Sequence, residues 1–240
     1  MTPLPPQIAP APQHLVERAR AVHQRLLEQY GIPEWRHPLP PLDELVSTIL
    51  SQNTNDRNRD LAFENLKARY HNWEAVRDAD PQEIIAAIRP AGLANQKGAH
   101  IQAALRSITA ARDELSLNFL RSLPPEAASA WLLELKGVGP KTAAIVLQFS
   151  LQMPAFPVDT HIHRVSGRLG LRPPAMTAEQ AHDFLGELFQ PPEYTSAHLN
   201  LIRLGREVCR ARKPDCPACP LNDLCEYNAR RLANPGVPTA

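Results

Sequence analysis

Cysteine is missing from the first 208 residues of this 240-residue chain, and all four cysteines fall between Cys209 and Cys225. A small secreted scaffold spreads its half-cystines through the fold. Four of them in one short loop would staple little, so a disulfide framework is excluded as the organising device. Excess charge of one sign is also lacking, because 26 Lys and Arg against 25 Asp and Glu leave a net charge of +1. Any nucleic-acid binding must therefore come from local patches and not from the whole-chain field. No apolar run approaches the ~18 residues of a membrane span and no signal-type apolar stretch opens the chain, so neither membrane insertion nor export is expected. Sustained strand-like alternation is absent, as is any internal repeat of about 20 to 50 residues.

What is present reads as helix. The length suits one large domain or two small ones, each with its own core. The 25 prolines are about double the usual ~5 per cent, but they cluster at the ends and between helical runs, where they break helices. Residues 1–12 form a Pro-rich tail that is expected to be mobile. Leu15, Val16, Ala19, Val22 and Leu26 give a first helical face, stopped by Gly31 and Pro33. Leu42, Leu45, Val46, Ile49 and Leu50 give a second, followed by the polar cluster Ser51-Gln52-Asn53-Thr54-Asn55-Asp56. Asp80-Pro81-Gln82-Glu83 is a helix start, and Thr177-Ala178-Glu179-Gln180 is a capping box. The fold class expected from these signals is all-α.

The stretch from Trp131 to Val165 carries the chemistry. Apolar residues at helical spacing flank Lys136-Gly137-Val138-Gly139-Pro140, two glycines and a proline suited to a sharp turn opening a new helix. Such a turn offers the N–H groups of Gly137, Val138 and Gly139, at a positive helix end, to a phosphate. A dinucleotide fingerprint would need a third glycine where Thr142 stands, and a P-loop would need another glycine–lysine spacing, so both are excluded. Lys141 follows in the first helical turn, an end where helices prefer Asp or Glu. It is either a solvated side chain or an amine nucleophile. Asp159 precedes the apolar-periodic run Ile162, Val165 and Leu169 and reads as the cap of a further helix. His161 and His163, two residues apart on that helix, point to different faces and are not expected to share a metal.

Leu135-Lys136-Gly137-Val138-Gly139-Pro140-Lys141-Thr142-Ala143, followed by Val158-Asp159-Thr160-His161-Ile162, resembles the helix-hairpin-helix Gly/Pro-Asp signature of the endonuclease III family of DNA glycosylases. The interval of eighteen residues from Lys141 to Asp159 is also that of the family. The resemblance implies that Lys141 attacks C1′ of a damaged nucleotide while Asp159 assists. It further implies two helical domains flanking a DNA-binding cleft: a six-helix domain over 34–153 with the hairpin, and a second from 13–33 with 154–228, leaving 229–240 as a flexible tail. A glycosylase must take its target base out of the stack and fill the gap. By resemblance Asn53, with Gln52 beside it, occupies the position of the inserting amide, and Leu93, in Gly92-Leu93-Ala94, that of an apolar wedge. Read as a structural residue, Leu93 would instead be buried as a helix staple.

The spacing Cys209-x6-Cys216-x2-Cys219-x5-Cys225 suits either tetrahedral zinc or an iron–sulfur cube. The resemblance implies the cube, a [4Fe–4S] cluster in a C-terminal loop. Arg203, Arg206, Arg210, Arg212 and Lys213 accompany it with Glu207 as the one acid, so Arg210, Arg212 and Lys213 are candidate phosphate contacts on a metal-held loop. The expected function is then a bifunctional DNA N-glycosylase and AP lyase that removes oxidised pyrimidines. Its expected partner is duplex DNA with damaged bases or abasic sites, and it is expected to be a monomer, bacterial-type, cytoplasmic and nucleoid-associated. Two alternatives keep many of the same features: a related glycosylase preferring a mismatched or deaminated base, and a non-catalytic DNA-structure binder with a zinc module.

Overall fold

The computed structural model describes residues 11–34 and 38–234, and among them there is no β-strand. The helices in chain order are α1 (Gln13–Tyr30), α2 (Pro41–Ser51), α3 (Asp56–Arg69), α4 (Trp73–Asp78), α5 (Pro81–Ile88), α6 (Ala94–Arg112), α7 (Pro125–Leu133), α8 (Pro140–Ile145), α9 (Thr160–Leu169), α10 (Ala181–Gly186), α11 (Tyr194–Glu207) and α12 (Glu226–Ala233). The chain forms two compact units, Met1–Arg36 with Ala155–Ala240, and His37–Pro154. Of the expected N-terminal tail, 1–10 lies outside the described residues. The expected C-terminal tail needs correction, because α12 carries the chain as helix through Ala233, with Asn228 buried; 235–240 lies outside the described residues.

Local chemistry sets the helix starts of the continuous unit. Proline stands in the first turn of α2, α5, α7 and α8, where its missing N–H costs nothing. Side-chain caps do the rest: Asn55 accepts from the Asn58 N–H at 2.9 Å, Asn72 from Ala75 at 2.8 Å and Asp80 from Gln82 at 2.7 Å. The two-turn α4 has too few residues to show a period and was not expected. Its cap Asn72 and the buried Trp73, whose indole N–H donates to Asp43 at 2.7 Å, account for it. The core of this unit is built on α6, where Ile101, Leu105 and Ile108 are fully buried, as are Ile84 and Ile88 of α5 and Leu45, Ile49 and Leu50 of α2. Each such side chain contributes about 1.5–3 kcal/mol of burial. After Ile145 the helix widens into a π turn over Val146–Ser150, closed by the Leu151 N–H donating to the Val146 carbonyl at 3.0 Å.

The discontinuous unit packs α1 with helices that follow Ala155. Ala19, Val22 and Leu26 of α1 join one core with Ile162, Val165 and Leu169 of α9 and Leu201 and Leu204 of α11. Phe156 stacks on Phe189 with centroids 5.1 Å apart and meets Tyr194 edge-on. This fixes the extended segment that leads into α9.

Candidate active site and metal loop

The hairpin turn between α7 and α8 is anchored from below. Gly137 has φ 85, and a Cβ there would lie 2.4 Å from Nδ1 and 2.7 Å from Cβ of His100 on α6. The turn therefore sits on an imidazole at a distance only glycine allows. Gly137→Ala is expected to cost about 2–4 kcal/mol from left-handed strain and overlap, read as a lower denaturation midpoint. Of the three expected turn donors, Val138 is corrected: its side chain is 7 % exposed and its N–H is spent on the Leu135 carbonyl at 3.0 Å. The groups that face outward come one step later. Gly139 looks onto open space and provides no side-chain cap, and the first bond within α8 runs from the Ala143 N–H to the Gly139 carbonyl at 3.0 Å. The Lys141 and Thr142 N–H groups thus lie in the uncapped first turn, and the Lys141 side chain is exposed beside them.

The polar cluster after α2 divides its labour. Gln52 Nε2 donates to the Gly137 carbonyl at 3.0 Å, so Gln52 is a strut between this loop and the hairpin and its amide is already engaged. Asn53, next in the chain, is exposed with φ 52. Leu93 shares both properties, at φ 49 and 53 % exposure, which removes the buried-staple reading. A bulky side chain in that backbone region is rare, and here no burial offsets the strain.

In the other unit, Asp159 caps α9, its carboxylate accepting from the Ile162 N–H at 2.7 Å, and it remains half-buried. The segment before it is held by histidines. Nδ1 of His198 donates to the Pro157 carbonyl at 3.0 Å, and Nδ1 of His182 lies 3.2 Å from the Val158 nitrogen. His161 and His163 take separate partners, Arg164 for the first and the Met176 carbonyl for the second, as their spacing requires.

The four cysteines line one cavity, with Arg168, Pro214, Asn222 and Tyr227 around it. Among the described residues no three His, Cys, Asp or Glu side chains converge on a single metal ion, whereas four thiols around an open space fit a multi-atom cluster. Burial first, then the neighbouring Cys209, Cys225 and Cys216, pushes Cys219 up to about 11. Burial likewise raises Cys225, although the Tyr227 and Asn228 N–H groups opening α12 favour its thiolate. Thiols crowded in this way ionise together only when a cationic group shares their charge.

Two arginines of α9 were not singled out in the sequence, and they hold this loop. Arg164 donates to the Cys209 carbonyl at 3.1 Å and to Gly205 at 2.9 Å. Arg168 donates to Arg210 at 2.8 Å, to Ala211 at 3.0 Å and to Cys209 Sγ at 3.4 Å, while its guanidinium lies over the Tyr227 ring. Their four-residue spacing after a helix cap was the available signal. Arg210, Arg212 and Lys213 are left exposed at the loop surface, with Lys213 at φ 52. Arg203 is occupied by Glu207 at 3.0 Å and by the Tyr30 ring. Cys219→Ser is expected to purify without the broad visible absorption of an iron–sulfur cluster, and trypsin should cut at Arg210 or Arg212 roughly tenfold faster.

Residues 46–191, which take in the α2 loop, the hairpin and Asp159, match the HhH-GPD superfamily of base excision DNA repair proteins, and the chain belongs to that superfamily. Residues 209–225, from the first cysteine to the last, match the iron–sulfur binding domain of endonuclease III. Endonuclease III of Sulfolobus acidocaldarius is 32 % identical over 192 residues, 79 % of this chain and 83 % of that protein. The Rickettsia conorii endonuclease III is 35 % identical over 183 residues, 76 % of this chain and 82 % of its own length. A trapped endonuclease III–DNA covalent intermediate superposes with TM-score 0.78 at 26 % identity, covering 90 % of this chain and 98 % of that one. The chain is accordingly an endonuclease III-like DNA glycosylase of base excision repair. Its loop cofactor is a [4Fe–4S] cluster, and the zinc module is set aside.

Proposed function

We propose that this chain is a bifunctional DNA N-glycosylase and AP lyase that removes oxidised pyrimidines from duplex DNA. The observation that carries the proposal is Lys141, an exposed amine in the uncapped first turn of a helix whose N–H groups suit a phosphate. The solved structure of a covalent endonuclease III–DNA intermediate, similar to this chain, supports a covalent route.

In this reading the hairpin donors and Arg210, Arg212 and Lys213 bind the phosphates of the duplex. The damaged nucleotide turns out of the stack, and Asn53 and Leu93 enter the space it leaves. Lys141, as its neutral amine, forms a bond to C1′ as the C1′–base bond breaks and the base leaves with a proton. Asp159 serves that proton movement and offsets the positive charge developing on the sugar. The Schiff base that follows acidifies the C2′ proton. Its removal expels the 3′ phosphate by β-elimination, and hydrolysis then frees Lys141. The cluster, held by Cys209, Cys216, Cys219 and Cys225, supplies a rigid cross-link for the basic loop.

The test is borohydride trapping of the wild type on abasic-site duplex, together with release from duplexes carrying thymine glycol, uracil or a thymine mismatch. A covalent adduct and fastest release of thymine glycol support the proposal. No adduct removes the lyase, and faster release of uracil or mismatched thymine removes the proposed substrate.

A further inference from the structure

Lys97, in the first turn of α6, is 1 % exposed. Among the described residues its ammonium pairs with no carboxylate. It donates instead to two carbonyls, Leu50 at 2.8 Å and Ala91 at 2.7 Å. Both stand at the end of an element, Leu50 in the last turn of α2 and Ala91 closing the 3-10 turn Arg89–Ala91. Carbonyls there lack helical partners and carry the negative end of the dipole, which compensates a cation without an acid. The compensation is incomplete, since burial still lowers the lysine below its ordinary range. A methionine would fill the same space without that desolvation cost, so stability alone does not account for a lysine.

The chain just beyond each carbonyl offers an account. Three residues past Leu50 stands Asn53, and two past Ala91 stands Leu93, both exposed and both in the left-handed region at φ 52 and φ 49. Left to itself, a leucine so placed relaxes to the right-handed side with a gain of about 1–2 kcal/mol. Lys97 opposes this from two directions, because its own N–H donates to the Leu93 carbonyl at 2.9 Å while its ammonium grips the backbone before that residue. The same ammonium holds the end of α2, and Gln52, the residue before Asn53, donates to the Gly137 carbonyl of the hairpin at 3.0 Å.

We propose that Lys97 is a positioning residue for base extrusion: its ammonium, shared by the Leu50 and Ala91 carbonyls, fixes the loops carrying Asn53 and Leu93 at one spacing. The inference rests on the glycosylase reading above. Two side chains fill a gap in a base stack only while their separation matches it, and a loop free to relax withdraws its member.

The test uses the intact, cluster-containing enzyme with Lys97→Met, which keeps the volume and removes the donors. Single-turnover release of an oxidised pyrimidine is expected to fall roughly tenfold or more, the loss of a charged hydrogen-bond donor. Duplex binding and borohydride trapping on abasic-site DNA should stay within about twofold, since with no base stacked or paired the sugar turns out at little cost. A general structural defect would lower trapping and release together, and that result overturns the proposal, as does release at the wild-type rate. If Lys97→Met does not fold, Lys97→Gln is combined with Leu93→Ala. Coupled effects on release support the inference and additive ones overturn it. A wild type that releases no base defeats the glycosylase reading itself, whereas a competent wild type matched by its Lys97 variants defeats this inference alone.

Discussion

Lys141→Gln is expected to fold and bind duplex as the wild type does, to form no adduct with borohydride on abasic-site DNA, and to release base more than about a thousandfold more slowly. The side chain is exposed and takes part in no ion pair among the described residues, so little native structure depends on it. Removing a positive charge from the first turn of α8 favours the helix by about 0.3–1 kcal/mol, because that end of the dipole is already positive. The neighbouring N–H groups belong to the backbone and survive the substitution, which preserves phosphate binding. What disappears is the amine that the proposed mechanism places against C1′, since an amide is not an amine nucleophile. The measurement is a pair of gels, one for trapped complex and one for single-turnover release. An adduct of wild-type intensity from Lys141→Gln would mean that another amine performs the attack.

Asp159→Asn and Asp159→Ala should part company, because the observed cap and the proposed chemical role of this carboxylate can be separated. As the cap of α9 it accepts one hydrogen bond from the Ile162 N–H, which an asparagine oxygen accepts equally well. In the proposed mechanism it also offsets sugar charge and moves a proton as a carboxylate, which an amide cannot do. Asp159→Asn is therefore expected to melt with the wild type while base release falls on the order of 10²- to 10⁴-fold. Asp159→Ala should show the same kinetic loss and in addition lose about 1 kcal/mol of stability. Thermal melts and single-turnover rates on both variants test the division. An Asp159→Asn enzyme of wild-type rate would reduce this residue to a cap.

The sequence made the helices legible wherever a cap or an N1 proline coincided with a long apolar period, as at Asp80, Pro125 and Asp159. It hid α4, where six residues cannot display a period and the deciding contact, Trp73 to Asp43, spans thirty positions. The same limit governs the site. Lys141 and Asp159 stood out because their neighbours in sequence define their surroundings, a bare turn for one and a helix start for the other. Val138 was misread as an outward donor because a turn's composition does not say which N–H its own carbonyls consume. Lys97, in an ordinary polar run, gives no local sign of the two distant carbonyls that surround it. Gln52, Arg164 and Arg168 act through partners 85, 45 and 41 residues away, and pairings of that range leave no mark in the order of residues.

Because α1 packs with α11 while His37–Pro154 is an uninterrupted stretch, synthesis on the ribosome presents the pieces out of order. The first helix, ending at Tyr30, has no partner core until α9, which starts at Thr160, and α11, which starts at Tyr194, have been made. The middle unit can close in the meantime, as domains generally do during translation. A nascent chain halted just after Pro154 has cleared the exit tunnel should thus already resist protease through its middle and remain cleavable in α1. The four cysteines, Cys209 to Cys225, are made after that point, so on this order iron and sulfide enter a chain whose middle unit is already closed.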